Sequence, residues 1–331
     1  MSATGRQRGV LLVNLGTPSA PTPRAVRRYL AEFLSDRRVI EIPALFWQPI
    51  LRGVILNTRP RKSAHAYAQV WTEAGSPLAA ITAAQAKALQ DRLGNAALVR
   101  WAMRYGEPAI GPQLAEMLAK GCDSILIAPL YPQYSGATTA SAMDAVGTAL
   151  AGLRTQPAIR TLPPYYADPL YIAALKADIL RQLAMLSFAP EVLLLSFHGM
   201  PERTHRLGDP YYRHCLETAR LLGEALAGSA FRVETSFQSR FGRAKWLEPA
   251  TDRILAAEAR QGTRRLAIVA PGFSADCLET REELAIRGRA QFLAAGGSDF
   301  AALDCLNDGE AGMAMLEALA RTELAGWIHD I

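Results

Sequence analysis

The chain has 331 residues, half of them hydrophobic and a fifth charged, and carries a net charge of +5. That length allows one large domain or two of about 150 residues each, with ample core. Its four cysteines, Cys122, Cys215, Cys277 and Cys305, lie far apart with no CxxC pair, which argues against a disulfide scaffold, a zinc ribbon and a cysteine-held iron–sulfur cluster.

No run approaches the roughly 18 apolar residues of a membrane span, and the opening Met1 to Gly9 is short and polar, so a cytoplasmic protein is expected. Charge is uneven. Residues 1–160 hold 18 basic against 9 acidic residues, and residues 161–331 hold 18 against 22. A basic half beside an acidic half suits an anionic ligand on one and a cation on the other; two solvated faces would look the same. The basic residues are scattered, without interleaved aromatics, so nucleic acid is not expected as a partner.

In chain order, strands are expected at 9–14, 97–103, 124–129 and 158–162, then at 191–197, 231–237, 265–270 and 300–305. Helical patterns fall between most of them, at 24–35, 78–93, 111–120, 140–152, 168–186, 210–227, 247–261 and 278–295, with a last one near 311–327. Strands alternating with helices of this length imply βαβ units and parallel sheets. The two halves repeat the same order of motifs. The fold class expected is therefore α/β: two Rossmann-like lobes, each a four-stranded parallel sheet flanked by helices, with a cleft between them. The first lobe would take 1–160 plus 309–331, the second 161–308, and the turn-rich run Leu162 to Pro169 would be the hinge.

Asn14-Leu15-Gly16-Thr17-Pro18 follows the first strand but is no GxGxxG fingerprint, and there is no P-loop, so a nicotinamide enzyme is rejected. Residues 43–56 are apolar on nearly all sides, broken by Pro49 and Gly53, and followed by Arg59, Arg61 and Lys62. Such a stretch is a core helix or an interfacial lip at the mouth of an apolar pocket. Tyr131 to Thr139 follows a strand end and is rich in tyrosine and threonine; Arg104-Tyr105 and Trp246 follow two others. Flat side chains suit a large flat ligand, and arginines suit its carboxylates.

His198 stands directly after the buried run Val192 to Leu195, where open α/β sheets bind ligands. The strand Leu266 to Ala270 leads to Asp276, Glu279 and Glu283, spaced i, i+3, i+7, one stripe on a helix. An imidazole facing carboxylates suggests a metal or proton-transfer site. Asp276-x-x-Glu279 also matches a capping box, which binds nothing but does not explain Glu283. His65, His205, His214 and His329 have no supporting pattern and are read as structural.

Six motifs taken together, Asn14 to Pro18, Met103 to Gly106, Tyr131 to Ser135, Ser196 to Gly199, Phe237 to Arg240 with Trp246-Leu247, and Asp276-x-x-Glu279-Thr280-x-x-Glu283, match in order and at compatible spacing. In these the chain resembles the ferrochelatases, lyases that insert ferrous iron into a porphyrin to make haem. The resemblance covers essentially the whole chain. It implies that His198 and Glu279 are catalytic and flank the metal. Asp276 and Glu283 would continue an acidic path, and Arg104 and Tyr105 would face them from the other lobe. It also implies porphyrin contacts at Arg59, Tyr67, Ser76, Arg104, Tyr105, Tyr131 and Trp246, with 43–56 as an apolar lip touching the membrane surface transiently.

Protoporphyrin IX and Fe(II) would be the substrates, with no tightly bound cofactor. The optional iron–sulfur cluster of the family is not expected, since Ile331 is reached without its C-terminal cysteines. Cys277 stands where some members have histidine, a departure at the position of an imidazole relay. The alternatives are a coproporphyrin or other tetrapyrrole chelatase, and a non-catalytic porphyrin or haem carrier. The protein would be cytoplasmic and peripheral at the membrane.

Overall fold

The computed structural model describes residues 7–242 and 244–328. Within them the chain forms two compact units. Unit 1 comprises residues 7–131, 135–163 and 313–328; unit 2 comprises 132–134 and 164–312.

Unit 1 holds strands β1 (Gln7–Gly16), β2 (Leu98–Tyr105), β3 (Cys122–Pro129) and β4 (Ala158–Thr161) in the order β2-β1-β3-β4. Around them lie α1 (Pro23–Phe33), α2 (Ala44–Ile50), α3 (Leu56–Val70), α4 (Pro77–Leu93), α5 (Ile110–Ala119) and α6 (Ser141–Ala151). Unit 2 holds β5 (Val192–His198), β6 (Arg232–Gln238), β7 (Arg265–Val269) and β8 (Asp299–Ala302) in the order β6-β5-β7-β8. Its helices are α7 (Pro169–Ala184), α8 (Glu202–Arg206), α9 (Tyr211–Ala225), α10 (Thr251–Arg260) and α11 (Arg289–Ala294). The last helix, α12 (Glu310–Leu324), runs into unit 1, where Glu317 pairs with Arg92.

Every strand pair is parallel, as the alternating pattern predicts. Parallel neighbours need crossover helices, and those helices cover both sheet faces, so the inner strands read as unbroken apolar runs. Leu11, Val13, Ile125 and Ile127 pack on Leu114, Met117 and Val146 in unit 1. Val192, Leu194, Leu266 and Ile268 pack on Leu255 and Phe292 in unit 2. The units also share a detail at their edge strands. Met103 N–H on β2 donates to the Pro108 carbonyl at 2.7 Å, and Phe237 N–H on β6 donates to that of Pro249 at 2.8 Å.

Gly16 ends β1 with φ +123°, and a Cβ there would land on the Tyr105 carbonyl oxygen. Only glycine lets β1 and β2 close at this point, which is the physical content of the Asn14 to Pro18 motif. The start of α7 follows capping chemistry: the Asp168 carboxylate accepts from Leu170 N–H at 2.8 Å, with Pro169 in the first turn.

Three expectations need correction. The helix placed at 247–261 begins only at Thr251: Ala250 is an extended cap residue bridged to Phe237, whose N–H donates to the Pro249 carbonyl. The helix at 278–295 is π-helical over Glu279–Gly288 and α-helical only from Arg289. The stretch 43–56 is neither wholly core nor wholly lip. It forms α2, a π-helical segment Leu51–Ile55 and the start of α3. Leu51 and Leu56 pack on Leu34, while Leu45 and Phe46 are 80% and 65% exposed. Pro60 lies inside α3 and has no N–H for the Leu56 carbonyl; Arg27 from α1 donates to that carbonyl at 2.6 Å instead. No helix of the described residues is long and apolar enough to cross a membrane.

Candidate functional site

His198 is the last residue of β5, half-buried, at the carboxyl end of the unit 2 sheet. The next residue is locked. Gly199 N–H donates to the Gln238 carbonyl at 2.7 Å, and a Cβ on Gly199 would stand 2.5 Å from that oxygen. The Gly199 carbonyl lies 2.7 Å from His198 Nδ1. A carbonyl can only accept, so Nδ1 carries the proton and Nε2 presents its lone pair. The imidazole sits beside Phe273 of the loop after β7, with ring centroids 6.4 Å apart. That loop leads to the three acids.

The acids have three different environments. Asp276 is 1% exposed and lies before the helix, so it does not share a helical stripe with the others. Its carboxylate accepts from Thr280 Oγ1 at 2.7 Å, Asn307 Nδ2 at 2.7 Å and Arg281 Nη2 at 2.9 Å. The capping-box reading also fails in detail: the Asp276 N–H that Glu279 would have to accept goes instead to Asn307 Oδ1, at 2.9 Å.

Glu283 closes on the turn after β6, accepting Ser239 N–H at 2.7 Å and Ser239 Oγ–H at 2.6 Å. Ser239 has φ 65°, the left-handed region that a non-glycine residue occupies only when held there. Arg287 approaches Glu283 at 3.8 Å. In the wider turn of a π-helix, residues four apart come near one line, so Glu279, Glu283 and Arg287 share a face.

Glu279 is half-buried and has no ion pair among the described residues. Its neighbour is the fully buried Cys277 thiol, pushed well above its ordinary range by burial and then by the Glu279 charge. Among the described residues, no three of His, Cys, Asp and Glu gather where they could hold a metal ion together.

Trp246 is buried against Phe241, with ring centroids 4.7 Å apart, and among the described residues its Nε1 has no hydrogen-bond partner. Gln238 Nε2 is likewise buried and unpartnered. His214 lies flat on Tyr166 at 3.7 Å, and its Nδ1 accepts Tyr134 N–H at 3.2 Å. His65 meets Gln69, and His205 packs on Tyr212; His329 lies outside the described residues.

In unit 1, Arg59 and Tyr67 are both on α3, half-buried and buried respectively. Ser76 is buried, and Thr17 Oγ1 donates to its hydroxyl at 2.8 Å. The Tyr131 hydroxyl is buried without a partner, and burial pushes its pKa far up. Arg104 has its guanidinium engaged: Nε donates to Ser141 Oγ at 2.7 Å and Nη2 to Asp36 at 2.6 Å. Tyr105 is fully buried, and its hydroxyl donates to Asp36 at 2.8 Å. Asp36, Arg281 and Asn307, which hold candidate site residues in place, are not singled out by the sequence.

The ferrochelatase family model matches residues 7–324. The chain belongs to the ferrochelatase family. The ferrochelatase of Azoarcus sp. is 51% identical over 322 residues, covering 97% of this chain and 88% of that protein. That of Mesorhizobium japonicum is 49% identical over 324 residues, covering 97% and 92%. Among solved structures, SirB from Bacillus subtilis with Fe3+ has a TM-score of 0.55 over 97% of both chains at 11% identity, a likeness of fold. As a ferrochelatase the chain is a lyase of haem biosynthesis, a metal chelatase whose substrates are iron and a porphyrin.

Proposed function

We propose that the chain inserts Fe(II) into protoporphyrin IX, the terminal step of haem biosynthesis, with His198 and Glu279 flanking the metal. The free-base ring carries two pyrrole N–H protons, and both must leave as Fe(II) enters, giving protohaem and two protons. The observation that carries this reading is the fixed tautomer of His198. With Nδ1–H committed to the Gly199 carbonyl, Nε2 is the ring nitrogen left to accept a pyrrole proton. Ferrous iron accepts imidazole and carboxylate ligands, so the same nitrogen and Glu279 suit the incoming metal. Asp276 and Glu283 act as fixed anions along the path, because each is already held by donors that a mobile proton carrier would have to break.

Porphyrin contacts are assigned to Arg59, Tyr67, Ser76, Arg104, Tyr105, Tyr131 and Trp246. The unpartnered polar atoms of Tyr131 and Trp246 support this, since a buried donor without a partner is costly until something completes it. No resident cofactor takes part; iron is the substrate. Anaerobic insertion into protoporphyrin IX should exceed that into coproporphyrin in kcat/KM. A reversed preference would assign the coproporphyrin substrate.

The exposed Leu45, Phe46, Ile50 and Val54 are assigned to transient contact with the membrane surface, where a greasy substrate resides. L45E/F46E should abolish co-sedimentation with phospholipid vesicles and leave insertion of detergent-dispersed porphyrin unchanged. Unaltered co-sedimentation would remove the lip from this role.

A further inference from the structure

Asp36 lies in Leu34-Ser35-Asp36-Arg37-Arg38, which reads in sequence as a charged surface turn after α1. In the structure it is the hub of unit 1. Its Oδ2 accepts from Ser141 Oγ at 2.5 Å, Arg104 Nη2 at 2.6 Å and Tyr105 Oη at 2.8 Å. Its Oδ1 accepts from Arg38 N–H at 2.7 Å. Arg104 Nε closes the ring on Ser141, reaching its Oγ at 2.7 Å and its carbonyl at 2.9 Å. The proton count is consistent. Tyr105 and Ser141 each have one hydroxyl proton to give, and both can go to Asp36, provided that it is ionised.

Burial alone would raise the Asp36 pKa, but the bonds from Ser141, Arg38 and Tyr105 and the Arg104 charge hold it below its ordinary value. Tyr105 is moved the other way: burial raises its pKa far above the ordinary value, and the bond to Asp36 raises it further. The cluster is therefore one guanidinium, one carboxylate and one neutral phenol, with no net charge.

We propose that Asp36 is a positioning residue for metal insertion: it fixes Arg104 and Tyr105 in the geometry the bound porphyrin requires. This rests on the reading that Arg104 and Tyr105 serve the porphyrin. Asp36 would not touch the substrate. Its removal would free the Arg104 fork and leave the guanidinium without the carboxylate that neutralises it.

The test is a cycle of full-chain variants. Asp36→Asn keeps the shape and removes the charge. In the wild-type background it should lower kcat for Fe(II) insertion by about 10-fold to 100-fold, the range a small misplacement costs, with the KM for porphyrin changed less than threefold. In the R104M/Y105F background the same substitution should change kcat less than twofold, because the groups it positions are gone. Asp36→Glu, which restores the charge, should recover part of the loss, and a melting temperature for each variant separates misfolding from misplacement.

A folded D36N with wild-type kcat overturns the inference, and so does a loss that is undiminished in the R104M/Y105F background. If R104M/Y105F itself has wild-type kcat and KM, the reading of those two residues fails and the inference falls with it. If R104M/Y105F is impaired while D36N is normal, only the role of Asp36 fails.

Discussion

His198→Ala lowers kcat for iron insertion by about 10³-fold or more while the variant still binds porphyrin. The size follows from what is removed. A positioned proton acceptor contributes roughly 10² to 10⁴ in rate, and here the same nitrogen is assigned to the metal. Binding survives because the flat ring is held by the aromatic and basic residues assigned to it, none of which needs the imidazole. The backbone at this point also survives. The Gly199 N–H bond to Gln238 belongs to the main chain and does not depend on the side chain at 198. Fluorescence titration with free-base porphyrin alongside steady-state kinetics checks both halves. Near-normal turnover by His198→Ala would remove His198 from the reaction.

The second large effect separates two glutamates on one helical face. Glu279→Gln should reduce kcat by about 10²-fold, and Glu283→Gln by less than about tenfold. Glu279 is half-buried with no ion pair among the described residues, so its carboxylate is open to a metal or a proton. Glu283 spends both oxygens on Ser239, and glutamine retains one acceptor for the Ser239 N–H. Kinetics of the two variants under one set of conditions decide the order. A larger loss in Glu283→Gln would make it, and not Glu279, the working carboxylate.

Much of this fold is legible because parallel sheets leave a plain mark. Val192 to Leu195 is apolar without alternation because β5 lies between β6 and β7 with both faces covered. The position of His198 follows from where such a run stops. Asn14 to Pro18 is legible as a turn that needs glycine, though not as the close approach to Tyr105 that makes the need absolute.

The candidate site is legible in its residue types and less so in its wiring. The i, i+3, i+7 spacing assumes an α-helix. Whether a helix bonds i→i+4 or i→i+5 is decided by packing, and no residue in Glu279 to Gly288 announces the wider turn. Asp276 drops out of the stripe because Asn307 and Arg281 hold it before the helix begins. Asp36 was invisible for a related reason: the three side chains that converge on it lie 68, 69 and 105 residues away. Pro60 lies inside α3, and the carbonyl it leaves free is met by Arg27 on another helix. Local pattern reports local structure; a hub built from distant donors has no local pattern to report.

The claim at the centre of this account is that the protein turns porphyrin over and does not merely carry it. Its most direct test is the number of haem molecules formed per chain, measured without oxygen in excess Fe(II) and protoporphyrin IX as free-base fluorescence is lost. Product should accumulate many times in excess of protein, with the fluorescence falling until substrate is exhausted. A signal that stops at one ring per chain, or binding with no loss of free base, would contradict it and make the protein a carrier.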